Sequence, residues 1–449
     1  MTSGTTSPTQ ERFDAELASA VTASRCPSVV AAVSRNGAQL CSSAAGSVTG
    51  RAGGRCPTPA TAYRIGSITK TITAITVLQQ VAAGHLNLDA PIGDVLPELA
   101  TDVRHISPRS LLMHGSGLLA EPSGPWWERS EGRTWTELLP QIHLNPDLIG
   151  RFHYSNTGYA VLGQLVARCT GRTWWDLARD DVLIPLKMNR TTYDAPLDAA
   201  PGLAVHPDLD LLHSEPAHDT AAMAPAGQLW STAADVTRLG EFLACGDEAV
   251  LPGALRRRMS MPGLVADVPG RNWTRSYGHG IDVTQHAGER YIGHGGSMPG
   301  FVASLRVREA DGASIALLAN STAGVCPDLA YRLLDLIDVA RPGDTAKRDN
   351  DTTTDLLGRW FWGPLPYTAS SRPGGGLELT PEGNGRGSRF SPCGSDRWVG
   401  HDEYFAGETL NVLKRGGTPY LDLGTFRLTR APYDPGSDIP GGVDPAGWH

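Results

Sequence analysis

The stretch YRIGSITKTITAITVLQQVAAGHLNLDAPI, residues 63–92, decides the fold class. Within Ser67 to Ala83, Ile68, Ile72, Ile75, Leu78 and Val81 recur at spacings of three and four, which predicts a helix with one buried face stopped by Gly84. Near its start stands Ser67-Ile68-Thr69-Lys70. Residues three apart share a helix face, so the hydroxyl and the amine can meet. A serine hydroxyl becomes a useful nucleophile only when a neighbouring base takes its proton. A lysine assists if burial or neighbouring charge lowers its pKa. At a helix N-terminus the backbone N–H groups also face a developing oxyanion. Alone, a Ser and Lys three apart read equally well as a surface capping pair.

Outward from this stretch, SVVAAVSRNGAQLCSSAAG (28–46) reads as two strands around an Asn36-Gly37 turn, preceded by a helix over Phe13–Ala23 and loose residues 1–10. Helical and loop patterns dominate about 88–243, in SPRSLLMH, NTGYAVLGQLVARCTG and STAADVTRLGEFLA. Strand patterns return at YGHGIDV, GFVASLRVRE and ASIALLAN, the last two joined at Asp311-Gly312; the helix LAYRLLDLIDVA follows. Two strands before the helical region and about three after it predict one sheet covered by helices, assembled from both ends of an α/β (α+β) domain over 11–340, with a helical subdomain inserted at about 88–243. RPGDTAKRDNDTTT (341–354) reads as a linker. Over 355–449, GRWFWG, LELTP, RWVG, TLNVLKR and YLDLGTFRLTR predict a small all-β unit, a barrel of the lipocalin-like kind or a sandwich, with no catalytic cluster.

Composition narrows the functional classes. The chain has 449 residues, 40% hydrophobic and 19% charged, enough to bury a sizeable core. A net charge of −8 argues against a nucleic-acid partner bound through bulk positive charge. No apolar run reaches membrane-spanning length, so no membrane partner is expected. The opening MTSGTTSPTQERFDAELASAV shows no basic region followed by an apolar stretch, and the seven dispersed cysteines contain no C-x-x-C; both fit a reduced, cytoplasmic setting without disulfides, metal or other cofactor.

Two further elements carry chemistry. In Tyr154-Ser155-Asn156 a phenol beside an ammonium can lose its proton far below about 10 and act as general base, and an Asn can hold a lysine and a substrate amide together. The bland reading is a loop entering a helix, with Tyr154 filling core. In His294-Gly295-Gly296-Ser297, after the strand-like RYIG, two glycines permit close approach of a ligand; the alternative is a turn with an exposed His. Trp126-Trp127, within EPSGPWWERSEG, reads as a binding wall or lid, while Trp174-Trp175 follows a helical pattern and reads as core. His105, His143, His206, His213, His218, His279, His286 and His401 have no ligand-like spacing and read as surface or satisfied polar residues. No G-x-S-x-G elbow, H-E-x-x-H or P-loop is present.

Together, the S-x-x-K, Y-x-N and H-x-G elements resemble the serine β-lactamase and penicillin-binding-protein superfamily, in the branch of class C β-lactamases, D-stereospecific peptidases and esterases. ISPRSLLMHGSGL, FHYSNTGYAVLGQLV, MAPAGQLWSTAADVTRL and YIGHGGSMPGF extend the likeness over about 27–340. The resemblance implies a β-lactamase-like fold, an antiparallel sheet flanked by helices plus a helical subdomain, with Ser67 as acylated nucleophile, Lys70 as its partner and Tyr154 as general base. It implies Asn156 as a lysine and substrate contact, and an oxyanion hole from the N–H groups of Ser67 and Ser297. His294 stands where the family usually has a lysine that anchors a substrate carboxylate. A neutral histidine there lowers the expectation of a β-lactamase and favours esterases, D-aminopeptidase-like enzymes and acyl transferases. The implied function is a serine acyl hydrolase or acyl transferase acting on an ester, amide or thioester, with a small-molecule or peptide substrate. FHYSNTGYAVLG, RTWWDL and LANSTAG are also similar to penicillin-binding-protein-type thioesterases that cyclise nonribosomal peptides, which would make the substrate carrier-protein-bound. A sensor acylated without turnover is the non-catalytic alternative.

Overall fold

Strand β1 (Ser28–Arg35) is buried along both faces except at its last residue, so the chain must cover it from two sides. β1 turns through Asn36 and Gly37, both with positive φ, into β2 (Ala38–Gly46). The other strands of this sheet come from residues 264–319: β3 (Leu264–Val265), β4 (Arg275–Tyr277), β5 (Asp282–His286), β6 (Glu289–Met298), β7 (Phe301–Arg308) and β8 (Ser314–Ala319). The antiparallel order is β2-β1-β8-β7-β6-β5-β4-β3, with Val29 opposite Ala319 and Val302 opposite Ala319 on the other side. The computed structural model describes residues 7–209, 211–339, 354–372, 375–383, 386–415, 417–424 and 426–432.

Period-two alternation sorts the strand residues into two cores. Val29, Ala31, Val33, Ile315 and Leu317 face α1 (Pro8–Ser24) and α5 (Leu329–Val339), where Phe13, Leu17, Leu329 and Leu333 close the layer. Val30, Ala32, Ala316 and Leu318 face a larger core with α2 (Thr69–Ala82), α3 (Asn156–Thr170) and α4 (Ala233–Cys245). α2 is buried on nearly all sides, not one. Its threonines are accommodated by carbonyls: Thr71 Oγ1 donates to Gly280 at 3.0 Å and Thr73 Oγ1 to Pro225 at 2.8 Å. A central helix thus carries a T-x-T pattern where a surface helix would carry charge.

Several boundaries differ from the sequence reading. α1 begins at Pro8, because Ser7 caps it by accepting from the Gln10 N–H, so only residues 1–6 of the expected loose segment lie outside the description. YGHGIDV is not one strand but the turn joining β4 to β5. STAADVTRLGEFLA, placed by the sequence reading within the helical subdomain, forms α4 and packs on β1, β7 and β8. The expected linker 341–354 lies outside the described residues except for Thr354.

The chain divides into two units, Met1–Arg341 and Pro342–His449. The second holds eight sequential antiparallel strands, β9 (Gly358–Trp362), β10 (Leu365–Arg372), β11 (Gly376–Pro381), β12 (Ser388–Gly394), β13 (Arg397–Gly400), β14 (Thr409–Arg415), β15 (Thr418–Leu423) and β16 (Phe426–Leu428). A bridge between Phe361 and Thr429, with N–H···O bonds of 2.8 and 2.9 Å, brings the first strand to the last. The result is a nearly closed barrel filled by Trp360, Phe390, Trp398, Leu410 and Leu421.

Candidate active site

Ser67 lies in the turn Gly66–Ile68 that leads directly into α2. Gly66 has φ +51°, and a Cβ there would stand 2.6 Å from the backbone N of Ser297; on β6, a Cβ on Gly296 would stand 2.0 Å from the Ile65 carbonyl oxygen. Only glycines allow the Ser67 turn and β6 to touch this closely. The Gly66–Ser67 and Gly296–Ser297 backbones therefore meet at one point, while Gly295 adjoins open space.

One helical turn on, Lys70 is fully buried and its Nζ donates to Ser67 Oγ at 2.9 Å and to the Ala226 carbonyl at 2.7 Å. Burial pulls its pKa down to about 7, against the opposing pull of Glu121 and Glu128. A hydroxyl beside an amine poised near neutrality can hand over its proton at physiological pH. Nζ also lies 4.9 Å from the centre of the Tyr154 ring. Ser67, Lys70 and Tyr154 thus converge. The phenol, however, is not primed as a phenolate. Burial raises the Tyr154 pKa well above its ordinary value, with the Ser67 side chain pulling the other way. The expected depression needs a full ammonium, and Lys70 is itself depressed.

The Tyr154-Ser155-Asn156 segment is held by the loop His114–Glu121. Ser155 caps α3 by accepting from Gly158 N–H at 3.0 Å and donates its hydroxyl to the Leu119 carbonyl at 2.7 Å. Asn156 departs from expectation: its Nδ2 donates to Glu121 Oε1 at 2.6 Å, whereas Lys70 is held by Ser67 and Ala226. Glu121 Oε2 accepts from Trp127 Nε1 at 2.7 Å. The two tryptophans therefore divide. Trp127 is buried and holds Glu121, whereas Trp126 is 58% exposed and donates to Glu128 Oε2 at 2.8 Å. Burial raises the Glu128 pKa, with the nearby Glu121 adding to the effect. Trp174 belongs to the core, and Trp175 packs partly buried against Tyr193.

His294 is buried on β6, and its pKa falls to about 4, chiefly through burial. Its Nδ1 donates to the Gly295 carbonyl, which leaves Nε2 to accept the Tyr277 hydroxyl at 2.7 Å. A neutral ring committed to two neighbours has no positive charge to offer a substrate carboxylate. Of the other histidines, His279 is buried and engaged by the Arg258 carbonyl at 3.0 Å. Sequence reasoning passed over Glu121, Glu128 and His114. The glutamates lie in EPSGPWWERSEG on either side of the two tryptophans, where a lone acidic residue carries no spacing signal. Among the described residues, no group of three or more His, Cys, Asp or Glu side chains is arranged to hold a metal ion, and no helix is long and apolar enough to cross a membrane.

Comparison with known proteins identifies the family of the first unit. The beta-lactamase family model matches residues 13–339, and a domain of unknown function, DUF7586, matches 349–430. The chain belongs to the serine β-lactamase and penicillin-binding-protein superfamily, a family of serine hydrolases. Penicillin-binding protein 4 of Amycolatopsis lactamdurans is 30% identical over 336 residues, covering 69% of this chain and 84% of that one. D-amino acid amidase from Ochrobactrum anthropi SV3 superposes with a TM-score of 0.64 at 24% identity, over 74% of this chain and 99% of its own. SurE superposes with a TM-score of 0.60 at 24% identity, over 94% and 99%.

Proposed function

We propose that the chain is a serine acyl hydrolase or acyl transferase that forms an ester on Ser67. Lys70, neutral above about pH 7, takes the Ser67 proton as Oγ attacks the carbonyl. Tyr154, resting as a phenol, passes a proton to the leaving group and recovers one from Lys70, so the pair ends the half-reaction as it began. The N–H groups of Ser67 and Ser297 receive the oxyanion, each such donor lowering the barrier by about 3 kcal/mol. Water or an amine then attacks the ester, with the proton transfers reversed. The observation that carries the reading is the 2.9 Å contact between Ser67 Oγ and a buried lysine of near-neutral pKa.

We infer further that the acyl donor bears a positive charge, in particular the free α-ammonium of a D-amino-acid amide or peptide. Glu121 and Glu128 both act on Lys70 electrostatically, and Glu121 is held rigidly by Asn156 and Trp127. A fixed carboxylate at that place suits an ammonium and repels a carboxylate, and the neutral His294 removes the anion anchor of the β-lactam-directed relatives. Likeness to a D-amino acid amidase is consistent with this.

The test is a panel of D- and L-amino-acid amides, peptidyl thioesters, p-nitrophenyl esters and benzylpenicillin, with products identified by mass. Turnover of D-amino-acid amides and esters, absent in Ser67→Ala, is expected. Preferential turnover of benzylpenicillin would overturn the substrate reading. Cyclic rather than hydrolysed products from peptidyl thioesters would assign an amine as acceptor; a persistent acyl-enzyme would assign a sensor.

A further inference from the structure

His114 grips Tyr154 from both sides of its backbone. The N–H of His153 donates to the His114 carbonyl at 2.8 Å, and the N–H of Ser155 donates to His114 Nδ1 at 3.0 Å. One residue thus holds the peptide group that follows Tyr154 and the one that precedes His153. Its ring also packs on the Tyr154 ring, with centroids 4.2 Å apart and planes tilted by 34°. Behind it stand Tyr277 at 4.5 Å and Tyr159 at 5.2 Å.

The arrangement costs stability locally. His114 is 1% exposed and adopts φ +59°, a left-handed conformation that non-glycine residues enter rarely. Because Nδ1 accepts from a backbone N–H it carries no proton, so the ring is the Nε2–H tautomer, and that Nε2 is buried without a hydrogen-bond partner. A left-handed backbone and an unpaired buried donor at one residue are poor ways to stabilise a loop. Both follow if the residue is placed to bring its carbonyl and Nδ1 to the two sides of Tyr154.

We propose that His114 is the positioning residue for Tyr154, fixing the phenol over Ser67 and Lys70 through a two-point clamp on the adjoining backbone. The proposal rests on the reading of Tyr154 as a proton carrier. Its requirement is an acceptor at the Nδ1 position on a left-handed residue. Asn supplies both, since its Oδ1 falls near Nδ1 and it tolerates positive φ. Phe keeps the ring packing but supplies no acceptor.

The experiment measures kcat and KM for p-nitrophenyl acetate with His114→Asn, His114→Phe and Tyr154→Phe, each checked for an unchanged melting transition. Displacement of a catalytic group by about 1 Å can cost about 100-fold. His114→Phe is therefore expected to lose about 100-fold in kcat with KM changed less than about threefold, and His114→Asn to stay within about fivefold of the parent. Should His114→Phe not fold, His114→Gly, which takes the backbone conformation freely and also lacks the acceptor, takes its place. Parent-like kcat in the acceptor-free variant, with Tyr154→Phe inactive, would overturn the clamp alone, as would equal losses in the Asn and Phe variants. An active Tyr154→Phe would instead overturn the reading of Tyr154, and the clamp with it.

Discussion

Glu121 Oε1 receives the Asn156 carboxamide at 2.6 Å while its other oxygen receives Trp127, so a carboxylate on a loop is held at both of its oxygens. Its negative charge is then available to a substrate ammonium without the entropy of ordering a side chain. Glu121→Gln removes that charge with little change of shape. It is expected to lower kcat/KM for D-phenylalanine amide by about 10- to 100-fold, a charge-assisted hydrogen bond of about 1.5–3 kcal/mol. Hydrolysis of p-nitrophenyl acetate, which has no ammonium, should change little. Equal losses on both substrates would mean that Glu121 acts on Lys70 and not on the substrate.

The acid side of the pH profile belongs to Lys70. With its pKa at about 7, the fraction of neutral amine, and with it kcat/KM for a neutral ester, should rise about tenfold per pH unit below about 7 and level off above. His294, at about 4, stays neutral through this range and adds no step. A profile flat from about pH 5.5 to 8.5 would exclude proton transfer to Lys70.

The same lysine sets a stability trend. An unfolded lysine titrates near about 10.4 and the folded one at about 7, so between these values the unfolded chain binds more protons and stability rises with pH. Below about 7 the cost of burying the charge is present in full. Lys70→Met should abolish turnover and raise the melting temperature of the first unit at about pH 6 more than at about pH 9. A lower melting temperature at both would show that the Ser67 and Ala226 bonds outweigh burial.

The barrel makes a separate prediction. Trp360 is fully buried, donates Nε1 to the Leu356 carbonyl at 2.7 Å, and carries Arg430 on its face at 3.8 Å. Trp360→Ala should cost about 3–5 kcal/mol of barrel stability. Every candidate catalytic group lies within Met1–Arg341, so turnover of p-nitrophenyl acetate should persist where calorimetry shows the barrel transition lowered. Loss of small-ester turnover in step with that transition would contradict the assignment.

Much of this was legible in the residues. The Asn36-Gly37 and Asp311-Gly312 turns, the helix after Ser67 and the meander of the second unit follow from local periodicity and turn chemistry, and the structure carries each. The spacing Ser67 to Lys70 gave the 2.9 Å contact because helix geometry is local. What escaped is what long-range burial decides. The direction of the Tyr154 pKa depends on total desolvation, and the capture of Asn156 by Glu121 and the engagement of His294 by Tyr277 depend on partners 35 and 17 residues away. The packing of α4 on β1, β7 and β8 is hidden for the same reason: an amphipathic period shows that a face is buried, not which sheet or helix covers it. His114 stood in the quoted ISPRSLLMHGSGL without a role, because positive φ at a histidine has no sequence signature.

The central claim is a covalent ester on Ser67. Intact-mass analysis and peptide mapping after brief reaction with a fluorophosphonate, and with a slowly released p-nitrophenyl ester, test it directly. One adduct per chain on the peptide bearing Ser67, absent from Ser67→Ala along with ester turnover, is the predicted result. An adduct at another residue, or turnover that survives in Ser67→Ala, would contradict the account.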